Sequence, residues 1–85
     1  MAWRIVVQPN GKYAKFSDVV DNFTDYDMTK DEVFELCRDA AGVDTARYKI
    51  EQAEKNPGRF DSAIDTIMNV HGHEEAALVR RELST

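Results

Sequence analysis

Apolar positions change their period along this chain. From Trp3 to Gln8, and again from Lys12 to Phe16, they fall near every second residue. Beyond Thr29 they return every three or four. Alternation of two is the repeat of a strand and 3.6 that of a helix. The pattern predicts a β-hairpin at the front of a helical chain, and β-branched Ile5, Val6 and Val7 reinforce its first strand.

Two registers fit the connection. Asn10-Gly11 as a two-residue turn would put Trp3, Ile5, Val7, Ala14 and Phe16 on one apolar face. Alternatively, Pro9-Asn10 forms the centre of a type I turn with Gly11 left-handed in a bulge. Gln8 then pairs with Lys12, Trp3, Ile5, Val7 and Tyr13 face one way, and Val6, Ala14 and Phe16 the other. Hydrophobic pattern favours the first form. Turn chemistry favours the second, because proline is preset for that position and would forfeit a ladder hydrogen bond in the tighter turn; we adopt the second. A lone hairpin is marginal in water, so the ribbon is expected to rest as a lid on helices.

Residues 17–28 carry the weakest periodicity. Ser17 is expected to cap a short turn that points Val19, Val20 and Phe23 inward, with Thr24–Met28 extended as a short third strand. Thr29 and Glu32 then form a capping box, with Met28 and Val33 as its hydrophobic staple. The spacing predicts a helix over about 30–41 burying Val33, Leu36, Cys37 and Ala40, closed by Gly42. Asp44 or Thr45 is expected to cap a second helix running to about Lys55, although Tyr48 and Ile50 also alternate as a strand would. Asn56-Pro57 reads as the cap and first residue of a third helix, with Phe60, Ile64, Ile67, Met68 and His71 inward and Gly72 as its stop. A fourth, about His73 to Leu83, turns Ala76, Val79 and Leu83 inward. The fold class expected is α+β: an N-terminal hairpin, with a possible third strand, packed on about four short helices in one domain, residues 1–85.

Composition supports a globular domain of 85 residues, 42% hydrophobic and 32% charged. The apolar patch in MAWRIVVQPN is too short for a signal peptide, and no run is long enough to span a membrane. Cys37 is the single cysteine and cannot close an internal disulfide, which points to a reducing compartment, the host-cell cytoplasm.

Charge changes the picture further. The net value is −5, unevenly spread: residues 1–17 carry +3 through Arg4, Lys12 and Lys15, whereas residues 18–39 carry −6. General nucleic-acid binding, which neutralises phosphates, and binding to anionic membrane are both disfavoured; a basic protein surface is the natural partner. The acids are Asp18, Asp21, Asp25, Asp27, Asp31, Glu32, Glu35 and Asp39, interleaved with Phe23 and Tyr26. Asp31, Glu35 and Asp39 recur every four residues along one helix face, a spacing that costs a few tenths of a kcal/mol per like-charged pair. Asp18, Asp31 and Glu32 suit helix starts, but Asp25, Asp27, Glu35 and Asp39 have no such role. Two readings compete: a solvated face that keeps the chain soluble, or a docking surface for Lys/Arg-rich protein, formed by Asp18, Asp21, Asp25, Asp27, Asp31, Glu35 and Asp39 with Tyr26 as its aromatic anchor.

Catalytic chemistry is not signalled. His71 and His73 flank a helix break without a well-spaced third ligand, Cys37 lies on a buried stripe, and the glycines sit at turns and helix ends rather than in a phosphate loop. We expect no metal, no cofactor and no enzyme activity.

The run QPNGKYAKFSDVVDNFTDYDMTKDE resembles the opening of small bacteriophage and prophage proteins: a hairpin with Q-P-N-G-K-Y, then F-S-x-V-V-D-x-F, then M-T-x-x-E into a helix. It covers about the first third of the chain. The resemblance implies a protein that binds host or competing-phage proteins, as anti-CRISPR inhibitors of defence nucleases do, and carries no catalytic residues with it. The leading expectation is a non-enzymatic inhibitor or adaptor. The alternatives are a nucleic-acid-binding regulator using the hairpin with Arg80 and Arg81, and a self-associating structural component.

Overall fold

A computed structural model describes residues 2–85. Three antiparallel strands, β1 (Trp3–Val7), β2 (Tyr13–Ser17) and β3 (Asn22–Met28), form a sheet in the order β1-β2-β3. Four helices follow: α1 (Lys30–Ala41), α2 (Val43–Lys55), α3 (Arg59–His71) and α4 (His73–Leu83). The α+β class and the third strand are as the pattern predicts, and the segment holding Tyr48 and Ile50 is helical.

The hairpin takes the bulged register. Val7 pairs with Tyr13, the Gln8 N–H donates to the Lys12 carbonyl at 2.8 Å, and the Gly11 N–H donates to the Gln8 carbonyl at 2.9 Å. Gly11 sits at φ 84°, the left-handed geometry this bulge requires. Ile5 and Tyr13 therefore face one side of the sheet, and Val6, Ala14 and Phe16 the other.

Both sides are covered, which corrects the expectation of a lid. Ile5, Tyr13 and Met28 pack with Val33, Cys37 and Ile50 of α1 and α2. Val6, Ala14 and Phe16 pack with Phe60, Ile67 and Leu83 of α3 and α4. The sheet is the middle layer, and each face carries one helical hairpin. Two apolar faces are also why simple alternation misjudged the register. Phe16 is fully buried; truncating such a side chain to alanine costs about 3–5 kcal/mol, a large share of a small domain's stability.

The two helical hairpins use the same joint. Gly42 (φ 90°, ψ 169°) ends α1 and starts α2, and Gly72 (φ 98°, ψ 169°) ends α3 and starts α4. This backbone region is essentially closed to residues with a Cβ, so one glycine turns each corner. The joint displaces the cap expected at Asp44 or Thr45: the Gly42 carbonyl already accepts the Ala46 N–H, at 3.0 Å. Asn56 closes α2 instead of capping α3, its Nδ2 donating to the Gln52 carbonyl at 2.7 Å. Pro57-Gly58 forms a turn, and α3 begins at Arg59. The Thr29–Glu32 capping box forms as expected, with Thr29 Oγ1 accepting the Glu32 N–H and Glu32 Oε1 accepting the Thr29 N–H. Ala40, expected on the buried stripe of α1, is exposed.

Val19 and Val20, expected to point inward, are 75% and 51% exposed on the β2–β3 turn. α3 reaches the turn backbone through His71, whose Nε2 lies 3.0 Å from the Val20 carbonyl oxygen, but the two valine side chains stay outside the core. Phe23 does turn inward and joins an aromatic row: its ring is 5.4 Å from Phe16, edge-on, and 6.0 Å from Phe60, stacked.

Candidate functional site

β3 is an edge strand, and α1 leaves it directly through Met28 and Thr29. α1 packs over β2 and β3 while α2 packs over β1. The acidic stretch is thus carried by the β2–β3 turn, the edge strand β3 and the helix that follows it directly.

Within that stretch the carboxylates differ in what they touch. Asp31 and Glu35 are exposed and form no ion pair among the described residues. Asp39 lies 3.6 Å from Arg38, an exposed contact worth little. Asp25 stands opposite Lys15 in the sheet and accepts a hydrogen bond from Thr24 Oγ1 at 3.2 Å. Tyr26 is 48% exposed on the same strand. Asp21, half-buried, takes a left-handed φ of 52° in the β2–β3 turn. Asp18 pairs with Arg4 at 3.4 Å.

Asp27 is the most engaged of the set. Its φ is 57° where β3 bulges, and the Gln8 side chain holds it at both ends. Gln8 Oε1 accepts the Asp27 N–H at 2.7 Å, and Gln8 Nε2 donates to Asp27 Oδ1 at 2.8 Å and to the Leu83 carbonyl at 2.9 Å. Asn10 Nδ2 adds a contact of 3.4 Å to the same carboxylate and donates to the Thr85 carbonyl at 3.0 Å. The Gln8 amide, helped by Asn10 and Lys12, holds the Asp27 carboxyl below its ordinary range. The Gln8 side chain ties the bulge at Asp27 to the end of α4 at Leu83.

Of the cations in the alternative reading, Arg4, Lys15 and Arg80 are also engaged, whereas Lys12 and Arg81 are exposed and form no ion pair among the described residues. Arg4 lies 4.8 Å from the Phe16 ring centroid in addition to its pairing with Asp18. Lys15 and Lys49 bracket the Trp3 ring at 5.2 and 4.2 Å, and Lys49 Nζ donates to the Trp3 carbonyl at 2.9 Å. Arg80 pairs with Asp61 at 3.1 Å and lies 5.7 Å from the Phe60 ring centroid.

Sequence reasoning did not identify two further clusters. Tyr13, nearly buried, donates to Glu54 Oε2 at 2.7 Å, and Lys30 Nζ reaches the same oxygen at 3.0 Å. Burial and the Glu54 carboxylate push the Tyr13 hydroxyl up to about 12, while the Tyr13 and Lys30 hydrogen bonds hold Glu54 below its ordinary range. Next to them, Lys30, Phe34, Arg47, Ile50, Glu51 and Glu54 line an open groove of about 180 Å³ between α1 and α2. The only local signal for Tyr13–Glu54 is a tyrosine placed on a buried strand face.

Cys37 is fully buried and its thiol is pushed up by that burial, the state of an inert core cysteine. Among the described residues no group of three or more His, Cys, Asp or Glu is placed to hold a metal ion. No helix among them is long and apolar enough to cross a membrane. Compared with protein-family models, curated proteins and solved structures, the chain matches none.

Proposed function

We propose that this chain is a non-catalytic binding protein whose β3–α1 face docks on a Lys/Arg-rich surface of a partner protein. Asp25, Asp31, Glu35 and Asp39 supply the charge and Tyr26 the aromatic contact. The observation that carries this reading is the pair Asp31 and Glu35: one helical turn apart, exposed, mutually repulsive and without an ion pair among the described residues, with only Asp31 favoured by the helix start and Glu35 by nothing in the fold. Asp18 and Asp27 join the surface as supporting groups, because Arg4 and Gln8 already hold them. Asp21 stands at its margin. The resemblance of the first third to phage and prophage proteins supports the further step. We read the chain as an inhibitor or adaptor acting in a host cytoplasm, its partner a protein that itself holds nucleic acid, such as a defence nuclease.

The test is affinity capture from the native host, identification by mass spectrometry, and binding measurements with the purified captured protein. The reading expects a basic partner and an affinity that falls steeply with salt. Titration with short DNA duplexes separates the alternative: salt-steep duplex binding without a protein partner would replace this reading with a nucleic-acid-binding regulator.

A further inference from the structure

The β2–β3 turn breaks two rules at once. Turns of this kind favour glycine, asparagine, aspartate and serine, yet its centre is Val19-Val20. The other exposed large apolar side chains among the described residues stand singly, Tyr26 on β3 and Val43, Tyr48, Val70 and Leu78 on helices. Val19 and Val20 are adjacent, β-branched and 75% and 51% exposed. Neither turn chemistry nor core packing accounts for them.

The turn is also held in place. The Asp18 N–H donates to the Ala2 carbonyl at 2.7 Å, and the Val19 N–H donates to Ser17 Oγ at 3.2 Å. His71 Nε2, at the end of α3, lies 3.0 Å from the Val20 carbonyl oxygen. These contacts fix the backbone from both sides and leave the two isopropyl groups outward, so less conformational freedom remains to be lost on association. Carboxylates flank the pair at Asp18 and Asp21, and the strand that follows carries Asp25 and Tyr26.

We propose that Val19 and Val20 form an apolar contact tip that enters an apolar pocket, rimmed by Lys or Arg side chains, on the partner protein. The proposal rests on the docking reading above and adds the shape of the partner's surface. Charge complementarity selects the occupant: a second copy of this acidic chain, or an anionic membrane, would meet Asp18, Asp21 and Asp25 with repulsion.

The test uses the full chain and the purified protein that it captures from host lysate. Val19→Asp/Val20→Asp and the milder Val19→Ser/Val20→Ser are compared with wild type, and p-benzoylphenylalanine at position 19 supplies a photo-crosslinker. The expected results are at least ten-fold weaker binding for the Asp pair, a smaller loss for the Ser pair, and thermal unfolding close to wild type for both. The crosslink should map to apolar partner residues flanked by Lys or Arg. Unchanged binding, or a crosslink only to a second copy or to lipid, would overturn the tip. If valine replacement weakens binding but Asp25→Lys/Glu35→Lys/Asp39→Lys does not, the acidic docking reading fails and the apolar tip stands without its basic rim. If only the charge reversals matter, the tip fails and the docking reading stands. Failure to capture any specific protein would count against both.

Discussion

The side-chain amide of Gln8 binds Asp27 at both its backbone N–H and its carboxylate, at 2.7 and 2.8 Å, across 19 residues of sequence. The same Gln8 nitrogen reaches the Leu83 carbonyl, 75 residues away, and Gln8 is only 2% exposed. One amide thus joins the first strand, the bulge in the edge strand and the last helix. Gln8→Leu keeps the volume but leaves the Asp27 N–H and the Leu83 carbonyl without their partner. The expected loss is roughly 2–4 kcal/mol. In a domain this size thermal unfolding should fall by at least about 10 °C, as read by circular dichroism.

Tyr13 sets the alkaline limit. Its hydroxyl is raised from the usual 10.0 to about 12 by burial and by Glu54. A group that ionises less readily when folded contributes its full stability below its unfolded value and loses it as pH climbs to the folded one. Stability should therefore fall between pH 10 and about 12, by roughly 2–3 kcal/mol in all. Tyr13→Phe should remove that particular slope, which urea titrations across this range would reveal.

On the acid side the sign reverses. Asp27, Glu32 and Glu54 are held below the ordinary 3.8 or 4.5 by Gln8, by the Thr29 N–H and by Tyr13 respectively. Their contributions are present above those ordinary values and disappear as pH falls through the lowered ones. Wild type should lose stability progressively below about pH 4. Thr29→Ala removes the Oγ1 half of the capping box and should cost about 1 kcal/mol at neutral pH, whereas Glu32→Gln, which removes the carboxylate that the Thr29 N–H holds, should make the acid loss shallower.

The glycines offer an internally controlled comparison. No atom lies within 4 Å of a Cβ built on Gly42, Gly72 or Gly58, so any cost of alanine is conformational. Gly42 and Gly72 have φ of 90° and 98° in a region closed to alanine; Gly58 has φ −70° and ψ −8°, ordinary helical geometry. Gly42→Ala and Gly72→Ala should each destabilise by about 1–3 kcal/mol. Gly58→Ala should be neutral or stabilise by about 0.4–1 kcal/mol. Chemical denaturation of the three variants decides it.

Local chemistry was legible where residues carry their own backbone preference. Pro9-Asn10-Gly11 announces its bulged turn, Thr29 with Glu32 announces a helix start, and the α3 stripe is readable from spacing from Phe60 to Met68, although His71, expected to finish it, is exposed. Tertiary placement was not. Ile5 and Val6 are both fully buried because a helical hairpin covers each face of the sheet, an arrangement that blurs alternation. Val19 and Val20 read as core residues by type, but the turn that carries them points both side chains away from the core. Asp27 looked purposeless because its partner is 19 residues upstream, just past the end of β1. Of the acidic stretch, sequence located the charges; that α1 packs over β2 and β3 is visible only in the fold.

Charge reversal at acids outside the Arg4 and Gln8 contacts tests the account most directly. Asp25→Lys/Glu35→Lys/Asp39→Lys leaves Asp18 and Asp27 to Arg4 and Gln8, so the variant should retain its helical circular dichroism. Titration against the captured, purified partner at low and physiological salt should then give binding at least ten-fold weaker than wild type, roughly 1.4 kcal/mol or more, and less sensitive to salt. Affinity and salt dependence equal to those of the unmodified chain would contradict it: the acidic face would be a solubility feature, with no part in recognition.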